Sequence, residues 1–198
     1  MAGLRGAASI ERGSAVRPSR LDDAQLLARI ADRDLRAFER LYRAYHPRLS
    51  RFVSNILRRP HLVEEVLNDT MMVVWRRPGA YNGTSRVSTW IFAIAYRTAL
   101  KALRRADDPV PDDRLKELPS SEPDPEQHAE RGQAQRDLLA AIVELSPDHR
   151  AVIDLTYFHE LGYAEIAEIM GCPVGTVKTR MFHARRHLRQ RLAGCLAD

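Results

Sequence analysis

Hydrophobic residues recur at three- or four-residue intervals along most of this 198-residue chain, the spacing of one face of an α-helix. No stretch bounded by turn residues alternates between apolar and polar positions at the two-residue period of a strand. The pattern therefore predicts an all-α protein without a sheet. The predicted helices cover about residues 21–30, 34–57, 60–76, 87–105, 134–145 and 147–158, followed by two shorter helices within 163–192.

Proline and polar residues mark several of the predicted helix ends. Ser146 and Pro147 form a cap and a first-turn proline for the helix that runs to about Phe158. Pro47 lies inside the long helix predicted over 34–57, where it should bend or divide the helix because it lacks a backbone N–H.

Residues 163–192 have the pattern of a helix-turn-helix. Gly171 suits the left-handed conformation of a helix end, and Pro173 suits the start of the next helix. Ala167 supplies a small residue for close helix contact, and Val177 supplies an apolar anchor beyond the turn. The second helix contains no acidic residue and six basic ones, which are Lys178, Arg180, Arg185, Arg186, Arg189 and Arg191. This composition predicts attraction to the phosphates of nucleic acid.

The segment between the two groups of predicted helices differs in composition from the rest of the chain. Residues 106–130 contain five prolines, nine acids and two bases, a net charge of −7. They are predicted to form a linker that spans roughly 80–90 Å when fully extended. Residues 1–20 show no helical period and are expected to be disordered. The predicted domains are therefore two helical modules, over 21–105 and 131–198.

The distribution of charge along the chain indicates which kind of partner it binds. The whole chain carries +5, so removing the linker's −7 leaves +12 on the rest, which favours a polyanionic partner. Cys172 and Cys195 form no CxxC pair, and no apolar run approaches the ~18 residues of a membrane span. The chain also begins without a hydrophobic signal region. A cytoplasmic protein is expected, with no direct membrane insertion, no cofactor and no small-molecule substrate.

Residues 81–105 contain five basic residues, no acid and interleaved aromatic residues, a pattern typical of nucleic-acid binding. Trp90, Arg97, Lys101 and Arg104 fall on one helical stripe. The polar segment 82–85 before this helix is placed to hydrogen-bond a base held out of its stack. Trp90 has an equally weighted alternative role as a core residue.

Acidic and amide residues share a face of the preceding helix, because Glu65 and Asp69 are four residues apart. Three interpretations remain open for this face. It is a solvated surface, a docking surface for a basic partner, or, with Glu64, the ligand set of a metal-dependent nucleic-acid enzyme. His183 and His187 are also four apart, but no further ligand accompanies them and no metal site is predicted.

Three segments resemble the extracytoplasmic-function sigma factors of bacterial RNA polymerase. They are LVEEVLNDTMMVVWRR, AYNGTSRVSTWIFAIAYRTALKALRR and LSPDHRAVIDLTYFHELGYAEIAEIMGCPVGTVKTRMFHARRHLRQRL, in that order. The resemblance covers about residues 35–105 and 134–192. A helix-turn-helix alone is unspecific, whereas two matching modules separated by a linker are specific.

The resemblance implies that the chain binds core RNA polymerase and promoter DNA, stabilises the opened strand, and has an anti-sigma factor as a further partner. It implies core polymerase binding for Glu65, Asn68 and Asp69. For the minus-ten promoter element it implies Tyr81, Asn82, Thr84, Ser85, Trp90, Arg97, Lys101 and Arg104. For the minus-thirty-five element it implies reading by Lys178, Thr179, Phe182 and His183, with phosphate contacts from Thr176, Arg180 and Arg185.

The sequence departs from the family pattern at two positions of the minus-ten helix. Arg97 stands where the family usually has asparagine, and Lys101 stands at a commonly acidic or polar position. Both changes add positive charge and leave the base preference open. The main alternative function is an autonomous helix-turn-helix regulator that binds operator DNA without polymerase, which explains residues 163–192 but not the first module.

Overall fold

The computed structural model describes residues 20–107 and 132–195, and within these ranges it contains eight α-helices and a single 3-10 turn. The helices are α1 (Arg20–Ala31), α2 (Leu35–Leu57), α3 (Pro60–Arg76), α4 (Val87–Asp107), α5 (Gly132–Val143), α6 (Pro147–Tyr157), α7 (Tyr163–Met170) and α8 (Val174–Cys195); the 3-10 turn is Pro78–Ala80. The predicted all-α class is confirmed, and the predicted ends lie within a few residues of these. Most of the predicted linker and tail lie outside the described residues.

The first module is formed by α1 to α4, which bury their apolar stripes against one another. Asp34 caps α2, because its carboxylate accepts hydrogen bonds from the Arg36 and Ala37 backbone N–H groups at 2.9 and 3.1 Å. Pro47 does not divide α2, which runs unbroken to Leu57. Tyr45 donates a 2.5 Å hydrogen bond to the buried Asp23 of α1, so the contact between these two helices also contains a polar pair.

The second module is formed by α5 to α8. Ser146 caps α6 as predicted, since its Oγ accepts a hydrogen bond from the His149 backbone N–H at 3.3 Å. Val177, Met181 and Ala184 of α8 are buried, and they form the inward face of that helix. The outward face of α8 is consequently left to polar, basic and aromatic side chains.

The two modules pack against each other through α2 with α6 and α4 with α7. Their buried residues form one continuous hydrophobic core. The ring of His159 packs against Phe52 and Phe92 of the first module, with ring centroids 6.1 and 4.7 Å away. The sequence did not specify this arrangement, because a long linker permits many relative positions of two modules.

Arg150 of α6 lies at the centre of this contact with only 8% of its surface exposed. Its guanidinium donates hydrogen bonds to the carbonyls of Asn55 at 2.9 Å, Ile56 at 2.7 Å and Val143 at 3.3 Å, and also to the carbonyl of Leu145. Burial, and to a smaller extent the neighbouring Arg58, lowers the pKa of Arg150 from its ordinary value. The first two carbonyls belong to the last turn of α2, where helical partners are missing.

The cap of α6 gives a direct stability test. Replacing Ser146 with Ala removes the acceptor for the His149 N–H, so the free energy of unfolding should fall by about 0.5–2 kcal/mol. Urea unfolding followed by circular dichroism measures this difference. Ser54→Ala is the matched control, because Ser54 is exposed inside α2 and alanine is the better helix former there. Equal losses in both variants would contradict the capping role.

Candidate nucleic-acid and partner interfaces

The turn between α7 and α8 is set by backbone hydrogen bonds around one glycine. Gly171 has a φ of 63°, and its N–H and that of Cys172 bond back to the Glu168 and Ala167 carbonyls at 3.4 and 3.1 Å. This double hydrogen bond is a Schellman motif, which ends a helix sharply. Pro173 lies immediately before α8, and its carbonyl accepts hydrogen bonds from the Thr176 and Val177 N–H groups in the first turn of that helix. The helix-turn-helix predicted from Ala167, Gly171 and Val177 is therefore present.

The residues predicted to read the minus-thirty-five element share the outer face of α8. Lys178, Thr179, Phe182 and His183 are all exposed. Phe182 has 61% of its surface exposed, which is unusual for a phenylalanine, and its ring lies 5.5 Å from that of His183. Thr179 Oγ1 donates back to the Gly175 carbonyl at 3.0 Å, which holds its methyl and hydroxyl groups in one orientation.

The predicted phosphate contacts of α8 are less open than the predicted readers. Thr176 is half-buried. Arg180 is half-buried and forms an ion pair with Asp148 of α6. Arg185 donates a 3.0 Å hydrogen bond to the Tyr157 hydroxyl, and its guanidinium also lies 5.6 Å from the centre of the Tyr157 ring. Two of the three predicted phosphate contacts thus have partners within the protein.

The loop before α4 is ordered by its own side chains. The Tyr81 hydroxyl donates to the Ser85 carbonyl at 2.6 Å, and the Asn82 side-chain oxygen accepts from both the N–H and the hydroxyl of Thr84, at 3.1 and 2.7 Å. Gly83 has a φ of 75°, a conformation that other residues rarely adopt. The polar segment expected to bond a base directly therefore uses part of its hydrogen-bonding capacity to fix the shape of the loop.

The aromatic residue Trp90 and the basic residues of α4 differ in how exposed they are. Trp90 is half-buried with its ring 5.8 Å from that of Tyr81, so it packs on the core and also reaches the surface. Arg97, Lys101 and Arg104 are exposed along the stripe that their spacing predicts. The aromatic pair and this basic stripe form an open surface on the first module.

The α3 surface combines polar and apolar side chains. Glu65, Asn68 and Asp69 are exposed, and Glu65 accepts a 2.9 Å hydrogen bond from Arg105 of α4. The next turn exposes 44% of Met72 and 36% of Val73. Sequence reasoning did not single out these two residues, because apolar residues in an amphipathic helix are expected in the core. Their spacing of four from Asn68 and Asp69 is the signal that places them on the same face.

Titratable groups are not gathered into a metal site in the part of the chain that the structure describes. Glu64 lies 3.9 Å from His46, and His187 lies 3.2 Å from Glu144, which also forms an ion pair with Arg191. Burial, followed by the neighbouring His183, lowers the pKa of His149 from its ordinary value. Within residues 20–107 and 132–195, no helix is both long and apolar enough to cross a membrane.

The fold and these surfaces define an all-α protein of two helical modules, the second of which contains a helix-turn-helix. Family models for sigma-70 region 2 and for sigma-70 region 4 match residues 41–108 and 135–188. The chain is 34% identical over 176 residues to the ECF RNA polymerase sigma factor RpoE of Cereibacter sphaeroides, covering 88% of this chain and 97% of that protein. It is 29% identical over 190 residues to the RNA polymerase sigma-H factor of Pseudomonas aeruginosa, covering 89% of this chain and 96% of that protein. The chain belongs to the ECF RNA polymerase sigma factor family.

Solved structures show the same fold. CnrH, in complex with the cytosolic domain of CnrY, matches with a TM-score of 0.64 at 21% identity, over 87% of this chain and 98% of that one. The sigma factor RpoE of Bartonella quintana, in complex with the anti-sigma factor NepR, matches with a TM-score of 0.58 at 24% identity, over 80% and 98%. The family resemblance drawn from the three sequence segments is confirmed.

The turn glycine can be tested against a second glycine four residues away. Gly171→Ala should lower the free energy of unfolding by about 1–2 kcal/mol, because its φ of 63° strains any residue with a Cβ, although no atom lies within 4 Å of that position. Gly175→Ala lies inside α8 and should raise stability by up to about 1 kcal/mol. Thermal unfolding of the two variants distinguishes these effects, and a stabilised Gly171→Ala variant would contradict the assigned turn.

Proposed function

We propose that the protein binds core RNA polymerase and directs promoter-specific initiation, with the first module on the minus-ten element and the second on the minus-thirty-five element. The observation that carries this proposal is the presence, in one chain, of a helix-turn-helix with exposed readers and a module with a separate aromatic and basic surface. An autonomous regulator accounts for the first of these features alone. The proposed role is that of an initiation factor without catalytic activity, acting in the cytoplasm where polymerase meets the chromosome.

Energetics explain why such a protein works with polymerase. Opening about ten base pairs costs on the order of 14 kcal/mol at the mean stacking energy. Two or three captured bases return roughly 1–3 kcal/mol each by stacking on aromatic side chains. The first module presents the Tyr81 and Trp90 pair for this purpose. The protein therefore traps bases that polymerase binding has made accessible, and it does not open duplex DNA alone.

The α3 surface is the proposed docking site for core polymerase. Asn68 and Asp69 supply hydrogen-bonding and acidic groups, and Met72 and Val73 supply the adjoining apolar area that a stable interface buries. Glu65 lies at the edge of this area and is already bonded to Arg105, so its contribution is expected to be smaller. A partner surface with basic and apolar residues matches this composition.

The second module is proposed to place α8 in the major groove at the minus-thirty-five element. Lys178 and His183 offer hydrogen-bond donors to base edges, and Phe182 offers an apolar contact for a thymine methyl group. Arg186 and Arg189 are exposed on the same helix and add phosphate attraction. On the first module, Arg97, Lys101 and Arg104 are proposed to follow the backbone beside the minus-ten element.

An anti-sigma factor is proposed as a further partner. The sigma factor RpoE of Bartonella quintana was solved in complex with the anti-sigma factor NepR, and it supports this proposal. A protein of that kind would act by covering one or more of the surfaces proposed for polymerase and DNA.

The function is tested by reconstituted transcription. Core polymerase should initiate at a defined promoter of this protein only when the protein is added, as measured by run-off transcripts of one length. Initiation that is independent of the protein would contradict the proposed function. High-affinity specific binding of the isolated chain to operator duplex, without any effect on polymerase, would favour the autonomous regulator.

The docking surface gives a sharper prediction. Asn68→Ala combined with Asp69→Ala should abolish stoichiometric co-purification with core polymerase, because both side chains are exposed and lost together from the centre of the proposed interface. The matched control is Asp32→Ala with Glu39→Ala, which removes two exposed acids elsewhere on the first module. Unchanged unfolding curves establish that both variants are folded, and equal binding by both would contradict the assigned surface.

The recognition helix generates a prediction about specificity. Phe182→Ala should reduce the preference of the polymerase complex for its own minus-thirty-five sequence over a base-substituted one by roughly 5- to 150-fold, equivalent to about 1–3 kcal/mol. Thermal stability should stay unchanged, because 61% of this ring is exposed. Arg186→Ala is the contrasting variant, because loss of a phosphate contact weakens binding to both sequences alike and lowers the salt dependence. A uniform loss in Phe182→Ala would contradict base reading by this ring.

A further inference from the structure

One side of α2 carries a row of exposed arginines. Steps of four and three residues from position 36 mark seven positions on one line along the helix and its C-terminal cap, and all seven are exposed. Two of them are Pro47 and Ser54. The other five are arginines, which together form the arginine ridge: Arg36, Arg40, Arg43, Arg51 and Arg58. The ridge is about 33 Å long, because its ends are 22 residues apart and a helix rises about 1.5 Å per residue.

The arginine ridge has little negative charge around it. Glu39 is the only acidic residue of α2, and among the described residues no carboxylate forms an ion pair with any ridge arginine. By contrast, Arg105 of α4 pairs with Glu65 at 2.9 Å. The Arg51 guanidinium lies 3.6 Å from the centre of the Phe158 ring, a contact that leaves its charge uncompensated. Like charges three and four residues apart destabilise a helix, so helix stability does not account for the ridge.

The composition of the ridge favours a partner that carries phosphate groups. All of its charges are guanidinium groups, and α2 contains no lysine. A guanidinium binds phosphate oxygens through two parallel hydrogen bonds, which an ammonium group cannot form. The seven positions include no aromatic residue and, apart from Pro47, no apolar one. The ridge therefore lacks the stacking surface of single-strand binding proteins and the apolar face of helices that lie on membranes.

Double-stranded DNA presents phosphates over the length that the ridge covers. One turn of duplex measures about 34–36 Å, which is close to the length of the ridge. The duplex carries one negative charge per about 1.7 Å of its axis. Because α2 runs unbroken past Pro47, the ridge holds its charges in one line that a duplex can follow.

We propose that the arginine ridge is a further DNA-binding surface, which contacts the phosphates of duplex DNA without reading the base sequence. It lies on a different helix from the residues proposed for the minus-ten and minus-thirty-five elements, and it includes none of them. Phosphate contacts of this kind supply non-specific affinity and accelerate association with DNA. The inference goes beyond the proposed function and does not rest on it, because it requires neither polymerase nor a promoter sequence.

The experiment measures binding of the full-length chain to a short duplex without promoter elements, in the absence of polymerase and at several salt concentrations. Arg40→Gln with Arg43→Gln removes two ridge charges and keeps residues that favour a helix. Each lost phosphate contact lowers the slope of log K against log salt by about 0.9, so the slope should fall by about 1.8. Arg40→Lys with Arg43→Lys keeps both charges and should retain the slope of the intact chain.

The matched control is Arg76→Gln with Arg77→Gln, which removes two exposed arginines from the end of α3. Its slope should stay at that of the intact chain, and circular dichroism should show that all the variants are folded. Equal falls in the ridge and control variants would overturn the proposal. Failure of the intact chain to bind the duplex at the lowest salt concentration would overturn it as well.

Two further probes test the choice of partner. They are the single strand of the same sequence and polyglutamate, an acidic polypeptide. The ridge variant should lose more affinity for the duplex than for either probe. A larger loss with the single strand, or a loss confined to polyglutamate, would overturn duplex DNA as the partner. A chain whose duplex binding responds to the ridge variant but which does not direct initiation by polymerase would contradict the proposed function alone.

Discussion

The Arg150 guanidinium is the interaction on which the packed structure depends. Helix α2 ends at Leu57 and α5 ends at Val143, so the carbonyls near both ends lack helical partners. Arg150 reaches both groups of carbonyls from α6 and places a positive charge where both helix dipoles are negative. Without it, buried carbonyls from two modules would face each other unpaired. The apolar contacts around Phe52, Phe92 and His159 assemble beside this polar centre.

The helices were predictable because each follows from local chemistry. The apolar stripe of α2, the serine cap of α6 and the glycine between α7 and α8 all act within a few residues of their own position. At Pro47 the local rule that proline interrupts a helix is misleading, because α2 continues through this residue. Proline removes one backbone hydrogen bond, but the burial of Tyr45, Leu49 and Phe52 on either side keeps α2 continuous.

The contact between modules was not predictable in the same way, because its partners are almost one hundred residues apart in sequence. Asn55 and Asp154 carry no signal of each other, and Arg150 resembles any exposed arginine of an amphipathic helix. The candidate surfaces were predictable only in part. The family resemblance named Lys178, Thr179 and Phe182, which the structure shows on one exposed face. Only packing reveals that Met72 and Val73 are left outside the core.

Two of the arginines that are proposed to contact DNA phosphates have partners within the second module. Arg180 and Arg185 lie on a helix without acids, yet each finds a partner on α6, through Asp148 and Tyr157. The half-exposed ion pair of Arg180 with Asp148 is worth about 1 kcal/mol or less, and Arg185 bonds to the uncharged Tyr157 hydroxyl, so neither contact holds its arginine tightly. A duplex offers a row of phosphates and gains from releasing its counterions, which no single carboxylate matches. We therefore expect Arg180 and Arg185 to exchange these internal partners for phosphates where the proposed contact with DNA forms.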